Sequence, residues 1–353
     1  MKKLVYGACA LLLTAGLSGC GNAIPAASSE TDAGASRQKE KVQLVNEMNL
    51  VLGTAAGKGS LGDTFALYFK EEIETASDGR ITVDVYNSGI LGSDLEMVQD
   101  CRYGTVDIQL ANVGAVNTVI PQGALFDMPF LFDREESART AMKNPEVFEY
   151  YANACKEQDL ILIALMDCGF RNLSLSIPAV SLEELEGLTI RCLNNDNQIA
   201  FWQDMGLDPI AMDIADVYLA LQKGGITGQE NPYDTIYTDK LYEVQKYMTN
   251  SRHLLHIDAL YFSKITWDSL SATSQQLLRE AAQAACSRTE GAVEEANQNA
   301  LERMQREGIK LLEFDALRGE LRQRCQQNAY ERIAAVTGTE MLDIWCAMGD
   351  HAP

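Results

Sequence analysis

Two arginines and an asparagine stand where alternating strands and helices would present them to a ligand: Arg171 in "CGFRNLSLS", Arg191 in "GLTIRCLNN" and Asn231 in "TGQENP". Arg191 follows the strand-like run Leu188, Thr189, Ile190. A guanidinium buried at a strand end is costly to desolvate alone and calls for an anion. Its planar fork suits a carboxylate, which it grips through two parallel hydrogen bonds. The competing reading is a salt bridge to one of the fifty acidic residues of the chain itself. A second candidate anion site is the turn Gly57 to Gly62, "GKGSLG", between the apolar run "LVLGTAA" and the helix-like "DTFALYFKEEIETA". Its glycines have the spacing of a dinucleotide-binding turn, and Asp84 stands about where a ribose-binding acid would, roughly 20 residues on.

Other chemistries find little support. There is no G-x-S-x-G or H-E-x-x-H, and the chain has only three histidines. His253 and His256 form an H-x-x-H without an indicated third ligand, so neither metal nor cofactor is expected. Glu183 and Glu184 read as a solvated helix face. An extracytoplasmic enzyme is therefore the weaker alternative to a binding protein.

The elements that must hold these residues follow from periodicity. Strand-like segments at Leu50 to Ala56, "RITVDVYNSG" and "TVDIQLANV" alternate with helices at Leu61 to Ala76 and "SDLEMVQDCRYG", a βαβαβ order that implies a parallel sheet. A second alternation follows: "LILIALMDCG", "SLEELEGLTIRCL", "NQIAFWQDMG", "IADVYLALQKGG" and "ITGQENP". From Ser271 the chain is rich in helix formers, long enough to brace two lobes, with charges at three and four spacings as on a solvated face.

Composition narrows the function. The net charge of -21 repels phosphate backbones and anionic lipid, which argues against nucleic-acid partners and leaves any anionic ligand to a few local cations. Lys2, Lys3, the apolar run Leu4 to Leu17 and then Leu17-Ser18-Gly19-Cys20 form an export signal resembling a lipobox, with residues 1–19 as signal peptide and Cys20 lipidated. Residues 20–41, rich in Ala, Ser and Gly, read as a flexible tether. Of nine cysteines, seven remain beyond Cys20; an odd number cannot all pair, and buried free thiols are expected. The roughly 310 residues from Val42 suit two lobes.

Taken together, "NSGILGSDLEMVQDCRYGTVDI", "DMPFLF", "EELEGLTIR", "VYLALQKGGITGQENP" and "YEVQKY", in this order, resemble the DctP-type substrate-binding proteins of tripartite ATP-independent periplasmic (TRAP) transporters. The resemblance runs from about Leu50 to His253. It implies an α/β, two-lobed periplasmic-binding-protein-like fold with parallel-rich sheets, a hinge and long C-terminal bracing helices. The lobes would be 42–167 with about 257–296, and 168–256 with about 297–350. It further implies a monomer that captures an organic acid without catalysis and hands it to TRAP membrane permease subunits from an extracytoplasmic, membrane-anchored position. A lipoprotein sensing the ligand for a signalling receptor would use the same cleft. Arg191 would pair with the substrate carboxylate, Arg171 would add a second cationic contact, and Asn231 and Asn194 would hydrogen-bond nearby. His253 matches a polar pocket position, with a satisfied core histidine as the competing reading. Lys58, Asn112 and Asp94 would face the cleft from the first lobe, although Lys58 also reads as solvated. The "GKGSLG" turn matches the family's first strand-to-helix turn, whose N–H groups would face an anion without any nucleotide. Two departures stand out: Cys192-Leu193 follows the arginine, and Ile214 replaces a covering aromatic beside an unexpected Asp213. An amine-bearing or hydroxylated acid is compatible with that wall.

Overall fold

In the computed structural model, which describes residues 45–351, Leu50 and Leu52 are fully buried at two-residue spacing in β1 (Met48–Thr54). The next turn ends at Ser60, whose hydroxyl accepts the Asp63 N–H and starts α1 (Leu61–Ala76); Phe65, Phe69 and Ile73 form its buried stripe. β2 (Ile81–Tyr86) lies parallel to β1. α2 (Asp94–Tyr103) opens with a reciprocal Ser93–Glu96 capping box and stops at Gly104. β3 (Ile108–Asn112) pairs parallel to β1 on its other side, completing the expected βαβαβ unit. Two 3-10 turns (Val113–Val116 and Pro121–Asp127), α3 (Glu135–Met142) and α4 (Pro145–Glu157) lead to β4 (Leu160–Leu175).

The second alternation consists of α5 (Leu182–Leu185), β5 (Thr189–Cys192), α6 (Asp196–Asp204), β6 (Asp208–Ala211), α7 (Ile214–Gln222), β7 (Gly228–Asn231) and α8 (Tyr233–Thr238). β8 (Tyr247–Thr249), β9 (Leu254–Ser263) and α9 (Lys264–Ser269) follow. α10 (Ala272–Glu290), α11 (Val293–Arg306), β10 (Lys310–Leu312), α12 (Asp315–Thr337) and α13 (Thr339–Ala347) complete the chain.

The strand order β2-β1-β3-β9-β4-β7-β5-β6 is parallel at both flanks and antiparallel in the middle. β9 runs antiparallel to β3 and β4, and β4 antiparallel to β7. The sheet is thus mixed but still richer in parallel than antiparallel pairs, as expected, with the antiparallel pairs gathered around β4 and β9. Beyond His256 and Asp258, β9 leaves little alternation in the sequence because all but one of its ten residues are buried, as in a strand covered on both faces. β4 is longer than "LILIALMDCG" suggested. Residues up to Arg171 pair with β9, and Asn172 to Leu175 pair with β7, so one strand crosses from the first half of the sheet into the second.

The C-terminal helices also divide differently from the expected 297–350 assignment. Leu317, Leu321 and Cys325 of α12 pack with Phe201 and Trp202 of α6. Ala329 and Ile333 of the same helix, with Leu342 and Trp345 of α13, pack with Phe126 and Tyr151 in the other core. At 23 residues, about 35 Å, α12 is long enough to reach both. No helix of the described residues is long and apolar enough to cross a membrane. The signal peptide, Cys20 and the tether lie outside the described residues. Among the described residues the seven cysteines are free, six of them buried.

The crossing in β4 depends on Gly169. It sits at φ 91°, inside the register shift between Asp167 and Phe170, and a Cβ there would lie 2.6 Å from Asn297 Nδ2. That amide donates to the Cys168 carbonyl at 2.9 Å. Gly169→Ala is expected to cost about 1–3 kcal/mol in denaturant unfolding, from left-handed strain and the displaced amide together. An unchanged unfolding midpoint would show that the shift does not depend on this backbone conformation.

Candidate functional site

A cavity of about 70 Å³ lies where the ends of β1 and β3 meet β4, β5, β7, α8 and β9. Of the residues singled out from sequence, Asp94, Asn112, Arg171, Arg191, Ile214 and Asn231 line it. Asn112 reaches it from the end of β3, its amide donating to the Ile257 carbonyl and its oxygen accepting from the Gly114 N–H. Asn231, at the end of β7, donates to Gln229 Oε1.

Arg191 is 1% exposed. Its Nε donates to the Met212 carbonyl at 2.8 Å, and its Nη1 has no hydrogen-bond partner. No acidic side chain among the described residues forms an ion pair with it. Burial pulls this guanidinium down to about 10, against the raising influence of Glu230 and Asp213, and it remains a cation at neutral pH.

Arg171, equally buried, is committed to the protein itself. Its Nε donates to Glu230 Oε2, its Nη2 to Glu230 Oε1 at 2.8 Å and to the Glu230 carbonyl at 2.7 Å. Its Nη1 lies 2.6 Å from His256 Nδ1. A guanidinium only donates, so Nδ1 accepts and the ring proton sits on Nε2, which donates to Asp258 Oδ1 at 2.8 Å. Burial would raise the Glu230 carboxyl, but the Arg171 charge and hydrogen bonds from His253 and Arg171 outweigh it and hold it at about 2. The salt-bridge reading is therefore right for Arg171 and not for Arg191.

Three expected contacts fall elsewhere. Lys58 is exposed and outside the cavity lining. Asn194 is exposed because the backbone turns tightly there, with the Asn195 N–H donating to the Leu193 carbonyl; Leu193 takes the cavity wall. The buried Asn195 instead caps α6 and donates to Asp127. His253 is a core histidine that stacks on Phe201 and contacts Glu230 from behind. The "GKGSLG" turn does line the cavity through Gly57, Ser60 and Gly62, but its N–H groups serve the protein itself: the Leu61 N–H at the start of α1 donates to Asp234 Oδ2 at 2.8 Å, and the Gly59 N–H to Asp63. A carboxylate from α8 thus occupies the helix N-terminus expected to face a ligand.

Sequence reasoning passed over Glu230, Asp234, Asp239, Asp258 and Cys168, and took His256 only as half of an H-x-x-H pair. His256 and Asp258 carried a signal, as polar residues two apart in the apolar run "LLHIDALYFS", hence on one face of a strand. The H-x-x-H pair does not converge, since His253 turns to Glu230 and His256 to Asp258. Cys168, His256 and Asp258 place donor atoms within 4.8 Å of one another. To hold a metal they would have to shed the proton on His256 Nε2 and that on the Cys168 thiol, which burial pushes far up, beside the Arg171 cation. The arrangement fits a hydrogen-bonded cluster better than a metal centre.

Glu230→Gln would leave Arg171 buried without its acid, a loss of about 3–5 kcal/mol in unfolding free energy at pH 7. Because the folded-state Glu230 is held near 2, below its ordinary 4.5, its contribution is present above about 4.5 and is lost as pH falls toward 2. The gap between wild type and variant should therefore narrow in that window. Parallel unfolding curves at every pH would refute the assignment.

Comparison with known proteins identifies the family and the fold. The sequence matches the DctP family, described as bacterial extracellular solute-binding protein family 7, over residues 52–336. It is 29% identical over 248 residues to a solute-binding protein of Chromohalobacter salexigens, covering 70% of this chain and 74% of that one. It is 29% identical over 234 residues to the sialic acid-binding periplasmic protein SiaP of Vibrio cholerae, covering 66% and 73%. The crystal structure of the sugar acid binding protein of Advenella mimigardefordensis in complex with galactonate superposes with a TM-score of 0.83 at 26% identity, covering 88% of this chain and all of that one. A two-lobed α/β body with a charged cavity, matched across most of its length, places this chain in the DctP family of extracytoplasmic solute-binding proteins, which serve transport and are not enzymes.

Proposed function

We propose that this protein captures a small organic acid by its carboxylate at Arg191 and delivers it to the membrane permease of a TRAP transporter. The observation that carries this reading is the buried Arg191 guanidinium, on the cavity wall with Nη1 unpartnered and no internal acid paired to it. A buried cation of this kind is costly without an anion, and a ligand carboxylate supplies one with matching geometry. Galactonate and sialic acid, bound by the relatives named above, are both acids. Asn112, Asn231 and Ile214 would shape the remaining wall, and Arg171, neutralised by Glu230, would hold that wall in place beside the bound carboxylate.

A thermal-shift panel of organic acids, including galactonate, followed by calorimetry with the tightest binder, tests this. Ligand at 100 times its Kd should stabilise the fold by about 2.7 kcal/mol. Arg191→Gln should weaken binding by about 2–5 kcal/mol while leaving the fold intact. An affinity unaffected by that substitution, or no binding by any acid, would overturn the reading.

We also infer that the mature chain is a lipoprotein anchored through Cys20, from the Leu17-Ser18-Gly19-Cys20 sequence behind a short apolar run. Expressed in a bacterium with lipoprotein processing, the protein should enter the detergent phase of a Triton X-114 separation, and Cys20→Ala should move it to the aqueous phase. Equal partitioning of both would exclude the anchor.

A further inference from the structure

The cavity wall carries more acid than an anion site requires. Asp94, Asp234, Asp239 and Asp258 line it together with Arg171 and Arg191. Most of these charges are already met inside the protein. Glu230 answers Arg171, the His256 N–H and the Cys168 thiol serve Asp258, and the Leu61 N–H serves Asp234. What remains facing the cavity is one guanidinium, Arg191, and two carboxyls, Asp239 and Asp94, the latter reached only by the backbone N–H of Ala55. The Asp94 Oδ1 atom is buried and accepts no hydrogen bond, just as Arg191 Nη1 is buried and donates none. Two orphaned polar atoms of opposite character thus belong to residues on the wall of one cavity.

A ligand with only a carboxylate would satisfy Arg191 and bring a third acid up to Asp94 and Asp239. That juxtaposition is unfavourable unless the carboxyls take up protons. A ligand that also carries an ammonium group offers each orphan its complement. We propose that the cavity selects a short zwitterion, with the ligand carboxylate on Arg191 and its protonated amine on Asp94, Asp239 being the second acid that faces it. This rests on the carboxylate reading above and names the substrate class. Burial, with Asp258 and Asp213 adding to it, pushes Asp94 up to about 7, and burial with Asp234 pushes Asp239 to about 6, as expected of carboxylates short of a cation. The cavity volume of about 70 Å³ favours a compact ligand.

Calorimetry of the mature chain with matched pairs tests the proposal: alanine against lactate, β-alanine against 3-hydroxypropionate, and 4-aminobutyrate against 4-hydroxybutyrate. Each pair differs only by an ammonium in place of a hydroxyl. At least one amino member should bind tenfold or more tighter than its hydroxy counterpart, Asp94→Asn should bring that ratio toward one, and Arg191→Gln should weaken both members alike. The proposal is overturned if the hydroxy member binds equally or better in every pair, or if both Asp94→Asn and Asp239→Asn leave the ratio unchanged. Should Asp94→Asn fail to fold, the wild-type ratios and Asp239→Asn decide. Hydroxy acids or galactonate that bind through Arg191 without any amino preference would remove the zwitterion and leave the carboxylate reading standing. If no acid of either kind binds, both fall.

Discussion

A guanidinium taken out of water must find an anion, and the two buried arginines of this cavity wall differ in where theirs comes from. Arg171 has Glu230, held by two side-chain hydrogen bonds and reinforced by His256 and Asp258. Arg191 has a backbone carbonyl on one nitrogen and no partner on Nη1. The first pair fixes the wall in place, and the second leaves it open to an external charge. Much of the surrounding structure exists to keep that asymmetry. β4 carries Arg171, β5 carries Arg191, and β7, lying between them in the sheet, supplies Glu230.

The same economy of charge explains why the first strand-to-helix turn is no anion site of its own. Its glycines suit tight backbone approach, and Gly59 does adopt a left-handed conformation at φ 85°. Yet the positive end of α1 is met by Asp234 from α8, so the turn ties the first half of the chain to the second. With β4 crossing between the two halves of the sheet and α12 packing into both cores, the cavity is enclosed by elements far apart in sequence. Its shape is set by how those elements dock.

Membership of the DctP family fixes what kind of protein this is: a binding component of transport rather than a catalyst. Which solute it takes is a matter for the individual wall. Here Ile214 and Leu193 supply the apolar surface, and acids outnumber the free guanidinium. The strongly negative net charge makes the buried Arg191 the more conspicuous, because long-range attraction for anions is absent and local pairing must carry the recognition.

The sequence by itself determined the element types and much of the site. Capping at Ser60 and Ser93, alternation in β1 to β3 and the strand-end position of Arg191 are local properties, decided by spacing and side-chain chemistry over a few residues. Strand-end position also offered Asn231, and family resemblance added Asn112 and Asp94, which like it reach the cavity, and Asn194, Lys58 and His253, which do not. Only the tertiary structure decided those last three. A one-residue difference in a turn exposes Asn194 and buries Asn195, and the position of Phe201 and Glu230 makes His253 a core residue. β9 was hard to read because burial on both faces leaves only His256 and Asp258 to mark the two-residue period. Whether each arginine had an internal acid could not be read locally either. Glu230 is 59 residues from Arg171 and meets it through the pairing of β4 with β7. A charge pair of that separation is fixed by which strands lie side by side, a global property of the fold.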